Sequence, residues 1–412
     1  AGVDAGAAFT GAGGNDTFNA HLAADPNTGE ATVETLTAFD VLNGGDGTDT
    51  LNVRAVGAWT APTTASVQNI EAADVRGDDA ITISTATWTG LTSLNVMSGH
   101  GATVTAGAAT DVTITNSQSS AVEMTGGKAV TVNTKGAVDL KGSVTTANVT
   151  TDGGIVTIGG NNTPATSIVS ATIAGGKNVT VSDLDAQTVS SGTLTTVSIS
   201  GAVGTSVSID GDAFANLSLT DTAVGATVTA AAGTRTLNLS LDGVTGGNIN
   251  DATATTLAVT ATGTESSGFT LDAGAATSVS IAADAALNGD LVAGAAKTVT
   301  ISGDEAVIIA ATAANLDAKV VITSTNTAGV TLTAQLGNDV TFTGGGGDDQ
   351  VTVAGTTKTI AMGGGDDVVL IGSGTSAFGK GGSVDAGAGD KDILGFESFA
   401  DAVTATATSD FE

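Results

Sequence analysis

Residues 298–302 have the sequence TVTIS, in which Val and Ile alternate with Thr or Ser. A short run with this two-residue period predicts a β-strand that buries one face and exposes the other. β-Branched residues, which favour a pleated and half-buried surface, dominate the run. Similar runs recur from about residue 81 to residue 344, including DVTIT (111–115), TTVSIS (195–200), NLSLT (216–220) and SVSIA (278–282).

These runs follow one another at intervals close to ten residues. Their apolar positions Leu271, Ile281, Leu291 and Ile301 are ten residues apart, and no segment with a helical period interrupts the series. Short strands joined by Gly, Ala, Asn and Asp turns predict an all-β fold, a β-solenoid or parallel β-roll with two strands and about 20 residues per coil. A meandering β-sandwich has similar strand spacing, but the regular period and an aromatic content of 3% favour the solenoid.

A second pattern, GGDGTDTLN at residues 44–52, matches G-G-x-G-x-D-x-U-x, where U is apolar. This pattern is the calcium-binding nonapeptide of RTX proteins. Its glycines let the backbone turn tightly and aim carbonyl oxygens inward, and its aspartate supplies an anionic oxygen to an ion that takes six to eight oxygen ligands. The candidate calcium-binding residues in this copy are Gly44, Gly45, Asp46, Gly47 and Asp49.

Four further copies of the nonapeptide are present, a complete match at 344–352 and partial matches at 11–19, 362–370 and 387–395. The last is the weakest, because Asp390 stands where the fourth-position glycine belongs. The candidate calcium-binding residues in these copies are Gly11, Gly14, Asp16, Gly344, Gly345, Gly347, Asp348, Asp349, Gly363, Gly365, Asp366, Asp367, Gly387, Asp390 and Asp392.

The spacing of two aspartates strengthens the calcium hypothesis. Asp349 and Asp367 are 18 residues apart, which is two nonapeptides and one coil of a β-roll. We therefore predict that their turns lie one above the other and share a calcium ion. The other acidic clusters could either bind calcium at solenoid corners or be solvated turn residues, since Asp favours turns. These clusters are Asp74 with Asp78 and Asp79, Asp183 with Asp185, Asp210 with Asp212, and Asp304 with Glu305.

The composition of the 412-residue chain excludes several classes of partner. Acidic residues outnumber basic residues 42 to 12, which gives a net charge of −30. Nucleic acids and anionic membranes are poor partners for such a chain, because phosphate binding requires clustered Lys and Arg. We predict no membrane span, because no run of 18 apolar residues is present. Bound calcium would neutralise the negative charge and take the place of disulfides in a chain without Cys.

The order of these phrases resembles that of calcium-dependent RTX-type bacterial surface-layer (S-layer) proteins of the Caulobacter type. The resemblance is carried near one end by LNGGDGTDTLNV (42–53) and VQNIEAADVRGDDAITIS (67–84), and near the other by VTFTGGGGDDQVTVAGTTKTIAMGGGDDVVL (340–370) and GGSVDAGAGDKDIL (381–394). The resemblance carries Asp16, Asp49, Asp349 and Asp367 over as calcium ligands, and Asp392 less directly because Asp390 interrupts its motif.

The resemblance also implies where the protein folds and how it assembles. Members of this family leave the cell by type I secretion, fold outside it on meeting calcium, and assemble laterally with copies of themselves into a lattice on the bacterial cell surface. It further implies attachment to lipopolysaccharide, through a region that is not identified in this sequence. We therefore expect a secreted, extracellular structural protein whose cofactor is Ca²⁺.

Two other functions stay open at this point. One is the calcium-rigidified stalk of an RTX adhesin, and the other, which we favour less, is a parallel β-helix polysaccharide lyase. We predict that the chain is not an enzyme, because it contains neither H-E-x-x-H nor G-x-S-x-G and its two histidines, His21 and His100, lie in predicted turns or loops.

The texture of the sequence predicts four segments. Residues 1–80 are predicted to form an RTX-like calcium-binding segment with loops, one of which is HLAADPNTGE at 21–30. Residues 81–343 are predicted to form a β-solenoid of strand–turn units. An RTX β-roll is predicted over residues 344–395, and a terminal tail over 396–412.

Overall fold

A computed structural model describes residues 8–23, 33–159, 167–183, 190–202, 204, 206–310, 315–353, 356–372, 382–396 and 408–411. Every regular element in these ranges is a β-strand, so the all-β prediction is confirmed. Most of the predicted loop at 21–30, most of the predicted tail and Asp185 lie outside the described residues. The chain divides into two compact units, the first Ala1–Ser198 with Ala202–Gly204 and Asp210–Ala213, and the second Ile199–Gly201, Thr205–Ile209 and Phe214–Glu412.

The first unit contains nineteen strands within the described residues. In chain order they are β1 (Ala8–Thr10), β2 (Thr17–Ala23), β3 (Val33–Glu34), β4 (Val41–Asn43), β5 (Thr50–Ala55), β6 (Trp59–Thr60), β7 (Ser66–Gln68), β8 (Ala72–Gly77), β9 (Ile81–Ser84), β10 (Ser93–Ser98), β11 (Ala102–Ala106), β12 (Asp111–Asn116), β13 (Val122–Gly126), β14 (Ala129–Thr134), β15 (Val138–Lys141), β16 (Thr146–Thr151), β17 (Val156–Ile158), β18 (Ser170–Gly175) and β19 (Asn178–Ser182). The division between the units passes through β20 (Thr196–Ser200) and β21 (Ser206–Asp210).

The second unit contains a further nineteen strands within the described residues. They are β22 (Asn216–Thr220), β23 (Ala226–Thr229), β24 (Thr236–Asp242), β25 (Thr245–Asp251), β26 (Thr256–Ala261), β27 (Ser266–Asp272), β28 (Ser278–Ala283), β29 (Leu287–Val292), β30 (Thr298–Gly303), β31 (Val307–Ile309), β32 (Val321–Ser324), β33 (Val330–Leu336), β34 (Thr341–Thr343), β35 (Gln350–Val353), β36 (Thr359–Ala361), β37 (Val368–Ile371), β38 (Ser383–Asp385), β39 (Ile393–Phe396) and β40 (Thr408–Ser409).

From β8 onward, successive strands of the first unit alternate between two long parallel sheets. One sheet contains β2, β5, β8, β10, β12, β14, β16 and β18, and the other contains β6, β9, β11, β13, β15, β17 and β19. A third parallel sheet of β1, β4 and β7 gives the first coils a third side. Strand β3 pairs antiparallel with β2. Stacked coils with parallel neighbours form a β-solenoid.

The second unit has the same plan with two sheets. The even-numbered strands β22 to β40 form one parallel ladder within the described part of the unit. The odd-numbered strands β23 to β39 form the other. Thr256 lies opposite Ser278 and Ser278 opposite Thr298, so these coils contain 22 and 20 residues. The solenoid with about 20 residues per coil is therefore confirmed.

Small aliphatic residues fill the interior of each unit. In β12, for example, Val112 and Ile114 are 2% and 0% exposed, while Asp111, Thr113 and Thr115 between them point outward. Because parallel strands pair in register, each buried side chain lies above its counterpart in the next coil. Burying a side chain of this kind stabilises the fold by about 1.5–3 kcal/mol.

Candidate metal centre

Each of the five nonapeptides forms the turn directly before a strand. In the first unit the turns end at Asp16 and Asp49, before β2 and β5. In the second unit they end at Asp349, Asp367 and Asp392, before β35, β37 and β39. We call residues 11–16 and 44–49 the first turn stack, and residues 344–349, 362–367 and 387–392 the second turn stack.

The second turn stack is in strict register along the coils. Gln350 lies opposite Val368, and Val368 lies opposite Ile393. The apolar eighth residues Val351 and Val369 are both fully buried in the strands that follow. The turns of Asp349 and Asp367 therefore lie one above the other, as the 18-residue spacing predicts.

One carboxylate oxygen of each aspartate in the second turn stack ties neighbouring coils together. The N–H of Val330 donates to Asp349 Oδ1 at 2.6 Å, and the N–H of Asp349 donates to Asp367 Oδ1 at 2.7 Å. The N–H of Asp367 in turn donates to Asp392 Oδ1 at 2.8 Å. The three side chains thus form a ladder that runs along the stack.

The second carboxylate oxygens (Oδ2) of these three aspartates have fewer hydrogen-bond donors than the first. Asp349, Asp367 and Asp392 are 1%, 0% and 1% exposed. Asp349 Oδ2 accepts a hydrogen bond from the Gly345 N–H at 3.0 Å, but Asp367 Oδ2 and Asp392 Oδ2 are buried without any hydrogen-bond partner. A buried anionic oxygen with no partner is costly, and a bound cation would remove that cost.

Burial opposes the ionisation of two of these carboxyls. Burial is the main cause that raises the pKa of Asp349 to about 6, against the hydrogen bonds from Gly345 and Val330. Burial is likewise the main cause that raises the pKa of Asp367 to about 7, and the charges of Asp349, Asp392 and Asp348 add to it. Without a cation, the surroundings of these two carboxyls therefore favour their neutral, protonated form.

The first turn stack repeats the ladder with one additional member. The N–H of Asp16 donates to Asp49 Oδ1 at 2.6 Å, and the N–H of Asp49 donates to Glu71 Oε2 at 2.7 Å. Asp49 is 0% exposed, and its Oδ2 has no hydrogen-bond partner. Asp16 Oδ2 accepts from the Ala12 N–H at 2.7 Å.

Glu71 is a member of the ladder that the nonapeptide pattern does not predict. Glu71 lies opposite Asp49, because Thr50 pairs with Ala72, but its coil has no glycine turn. The available signal was its position, two residues before the buried Ala73, which matches the position of Asp49 before Leu51. An acidic residue at that point of a coil can join the ladder without the nonapeptide.

Close approach of neighbouring coils explains the first glycine of the motif. A Cβ on Gly344 would overlap Asp349 Oδ2 and the carbonyl oxygen of Met362, and a Cβ on Gly44 would overlap Asp49 Oδ2 and a carbonyl oxygen of the next coil. In the second position, Gly363 has a φ of +102°, a conformation that other residues rarely adopt. The remaining predicted glycines of the two stacks, Gly11, Gly14, Gly45, Gly47, Gly345, Gly347, Gly365 and Gly387, lie in the same turns.

Four of the predicted acidic ligands lie outside the buried ladder. Asp348 Oδ1 accepts from the Asp366 N–H at 2.8 Å, and Asp366 Oδ1 accepts from the Asp390 N–H at 3.3 Å. These side chains form an outer row that is exposed or half-buried, and Asp46 is exposed as well. Lys391 pairs with Asp366 at 3.4 Å. The structure therefore separates the predicted acidic ligands into a solvated row and a ladder, which is buried except at Asp16, a half-buried residue.

Two aspartates of the acidic clusters in the first unit, Asp74 and Asp183, already have partners for their carboxylates. Asp74 accepts both Nε and Nη2 of Arg76 at 3.0 and 2.9 Å, and Arg54 lies 3.7 Å away. Asp183 is buried, and its oxygens accept from Ser190 Oγ at 2.6 Å and from the N–H groups of Thr193 and Leu194. Both carboxylates are therefore already engaged by hydrogen-bond donors of the protein.

The other described acidic residues of these clusters are half-buried or exposed. Asp78 accepts from the Gly57 N–H at 2.6 Å, and Asp79 lies 3.4 Å from His100, whose side chain is 58% exposed. Burial, with the nearby charges of Asp183 and Asp212, raises the pKa of Asp210. Asp304 and Glu305 are exposed in the turn after β30.

A cation in the turn stacks could be bound by carboxylate oxygens and by backbone carbonyl oxygens. Within the described ranges, no three Asp, Glu or His side chains converge into a metal-binding cluster. An ion in the turn stacks would therefore need backbone carbonyl oxygens beside the carboxylates, which is the donor set of the nonapeptide. The unpaired oxygens of Asp49, Asp367 and Asp392 are consistent with such an ion.

Comparison with known proteins leaves the function to be inferred from this geometry. No protein-family model matches the chain, and no curated protein matches its sequence. Among the described residues, none lies in a helix that is long and apolar enough to cross a membrane.

Proposed function

We propose that this chain is a secreted structural protein that binds calcium in its turn stacks and assembles with copies of itself into a two-dimensional layer on the bacterial cell surface. The observation that carries the calcium part is the set of buried carboxylate oxygens without hydrogen-bond partners, Asp49 Oδ2, Asp367 Oδ2 and Asp392 Oδ2. They belong to turns whose glycines are required by the close approach of neighbouring coils.

The residues that would hold calcium follow from the two ladders. In the second turn stack they are Asp349, Asp367 and Asp392, with carbonyl oxygens of the glycine turns. In the first they are Asp16 and Asp49, with Glu71 at the end of the ladder. The ion would supply positive charge beside carboxylates that burial otherwise disfavours.

Calcium would act as a folding ligand in this account. The net charge of −30 opposes compaction, and extracellular calcium modules have dissociation constants of about 10⁻⁴–10⁻³ M, far above cytosolic calcium. A ligand at 100 times its dissociation constant adds about 2.7 kcal/mol to the stability of the state that binds it. The chain would therefore stay weakly folded in the cytosol and fold after secretion.

The self-assembly part is supported by the solenoid fold and by the resemblance of the motif segments to S-layer proteins. A solenoid presents long flat faces on which copies can associate. The same fold also suits the stalk of an adhesin, which remains a single rod. Lateral association in calcium distinguishes the two functions.

Electron microscopy of the purified chain in millimolar calcium, and again after addition of a chelator, tests this function. We expect ordered sheets or closed assemblies in calcium that disappear in chelator. Single particles in both conditions would contradict the layer and favour the stalk. Assemblies that persist unchanged in chelator would contradict the role of calcium.

A further inference from the structure

The even-numbered sheet of the second unit has an outer face without charge between β26 and β36. Within this part of the unit the strands pair in unbroken parallel order. All of the outward residues are exposed or half-buried. They are Thr256, Ala258, Thr260, Ser278, Ser280, Ala282, Thr298, Thr300, Ser302, Val321, Thr323, Thr341, Thr343, Thr359 and Ala361.

This face has no charged residue, a property that it shares with the outer face of β14, β16 and β18 in the first unit, and the charges along its two edges are what distinguish it. A solvated surface typically has about 25–35% charged residues, and this chain has 54 Asp, Glu, Lys and Arg residues in total, 42 acidic and 12 basic. The face also exposes 42% of the side chain of Val321. We call these fifteen residues the neutral face.

The two edges of the neutral face carry different charges. At the edge where the strands begin, Lys297, Lys319 and Lys358 lie with Asp317 and Asp339, and Lys297 pairs with Asp317. At the edge where the strands end, acidic residues lie without any Lys or Arg in the turns that follow β26, β28, β30, β32, β34 and β36, and all six of these turns are described. The exposed or half-buried acidic residues there are Glu265, Asp284, Asp304, Glu305, Asp348 and Asp366.

We infer that the neutral face is the interface through which two copies of this chain associate face to face, with the lysine-bearing edge of each copy over the acidic edge of the other. This inference rests on the proposed function, because it names the surface for the proposed self-association. Copies with a charge of −30 repel one another over most of their surface. The neutral face allows close contact without that repulsion, and its edges then attract.

The edge charges also select the symmetry of the pair. A two-fold axis parallel to the stacking direction of the coils reverses the strands of the second copy, and so brings each lysine-bearing edge over an acidic edge. An axis along the strands would bring the two acidic edges together, which costs free energy. Pairing about either axis is isologous, the common form of a homodimer, and the edge charges favour the first axis.

The shape of the neutral face suits a weak interface of this kind. Small Thr, Ser and Ala side chains allow two sheets to pack at about 10 Å, as in aligned sandwiches. The six strands are about 4.8 Å apart and, at three to six residues, about 10–20 Å long, so they cover roughly 450 Å² per copy. Two copies would bury roughly 900 Å², the size of a weak or transient interface.

The chain has no Cys, so single cysteines can report the contact by cross-linking. Thr300→Cys lies at the centre of the face, and Thr227→Cys is an exposed control on β23 of the other sheet. Both variants are treated with a short bis-maleimide in calcium, at concentrations where sedimentation velocity shows that the wild type associates. We expect covalent dimers for Thr300→Cys only.

A mixture of Thr298→Cys and Ser302→Cys then tests the orientation, since these residues lie near opposite ends of β30. We expect mixed dimers to exceed dimers of either variant with itself. Dominant self-cross-links would overturn the proposed symmetry.

A charge in the face gives a second readout that does not need cross-linking. Thr300→Lys should weaken association by about tenfold or more, and Thr227→Lys should not. If the wild type associates but both lysine variants associate equally well, the inference is wrong and the proposed function stands. If the wild type is monomeric in calcium, the proposed self-assembly itself is contradicted.

Discussion

Asp251 and Asp367 are both buried aspartates of the second unit, 1% and 0% exposed, yet their surroundings differ. Arg235 Nη2 donates to both oxygens of Asp251 at 2.5 and 2.6 Å, and the N–H groups of Thr253 and Ala254 donate as well. Asp367 has a donor on one oxygen only. Burial alone therefore does not distinguish a candidate calcium ligand in this fold, and the second oxygen of Asp367, which has no donor, is what separates it from Asp251.

We expect the largest loss of stability at Asp251, whose carboxylate has donors from the protein on both oxygens. Arg235→Met removes the cation that neutralises Asp251 and leaves a buried charge, which should cost about 3–5 kcal/mol. Because calcium plays no part at Asp251, chemical denaturation should show the same loss in calcium and in chelator. Lys297→Met, which removes a solvent-exposed ion pair, is the control and should change stability little. If calcium restored the stability of Arg235→Met, the contrast between Asp251 and Asp367 would be wrong.

Substitution of the first glycine of the motif should have the next largest effect. Gly344→Ala places a Cβ against Asp349 Oδ2 and the Met362 carbonyl oxygen, and overpacking of this kind costs about 1–3 kcal/mol. Gly346→Ala is a control in the same turn, because no atom lies within 4 Å of its added Cβ. The melting temperature and the calcium affinity should both fall for Gly344→Ala and stay unchanged for Gly346→Ala. Equal behaviour of the two variants would show that the close approach is unimportant.

The effect of Asp367→Asn on the free energy of unfolding should differ in sign between calcium and chelator. The amide oxygen can still accept from the Asp349 N–H, but the negative charge is lost. In calcium the variant should lose about 1–2 kcal/mol, whereas in chelator near pH 8 it should be as stable as the wild type or more stable, because burial opposes the charge there. The contrast is measured by denaturation in both conditions. Destabilisation of equal size in both would indicate a purely structural aspartate.

The pH dependence of the calcium-free protein follows from the same carboxyls. The pKa of Asp367 is raised to about 7 and that of Asp349 to about 6, against an ordinary value of 3.8. Each group therefore binds more protons in the folded state, and stability falls as pH rises from about 4 to about 7. We expect the melting temperature in chelator to be a few degrees lower at pH 8 than at pH 5. In Asp367→Asn the difference should shrink, and an unchanged pH profile would contradict this cause.

The strand pattern and the coil length could be predicted from the sequence because they depend on local periodicity. Alternating residues such as Val299 and Ile301 are buried as expected, and the motif aspartates end the turns before strands. The third sheet of β1, β4 and β7 could not be predicted, because its three-residue strands are too short to show a period.

The candidate site could be predicted in part. The nonapeptides located Asp49 and Asp367, but which oxygen of each would have a donor depends on the coil stacked above or below. Glu71 was missed because its coil lacks the glycines that mark the motif. Asp74 could not be separated from a metal ligand in the sequence, since its pairing with Arg54 depends on the register of β5 and β8.

The central claim is that the buried oxygens without donors bind calcium, and isothermal titration calorimetry of calcium into the chelator-treated chain tests it most directly. The wild type is compared with a variant that combines Asp49→Asn, Asp367→Asn and Asp392→Asn, and with a control that combines Asp74→Asn and Asp183→Asn. We predict saturable binding by the wild type, retention of binding in the control, and its loss in the triple variant. Absence of binding by the wild type, or equal binding by the triple variant, would contradict the claim.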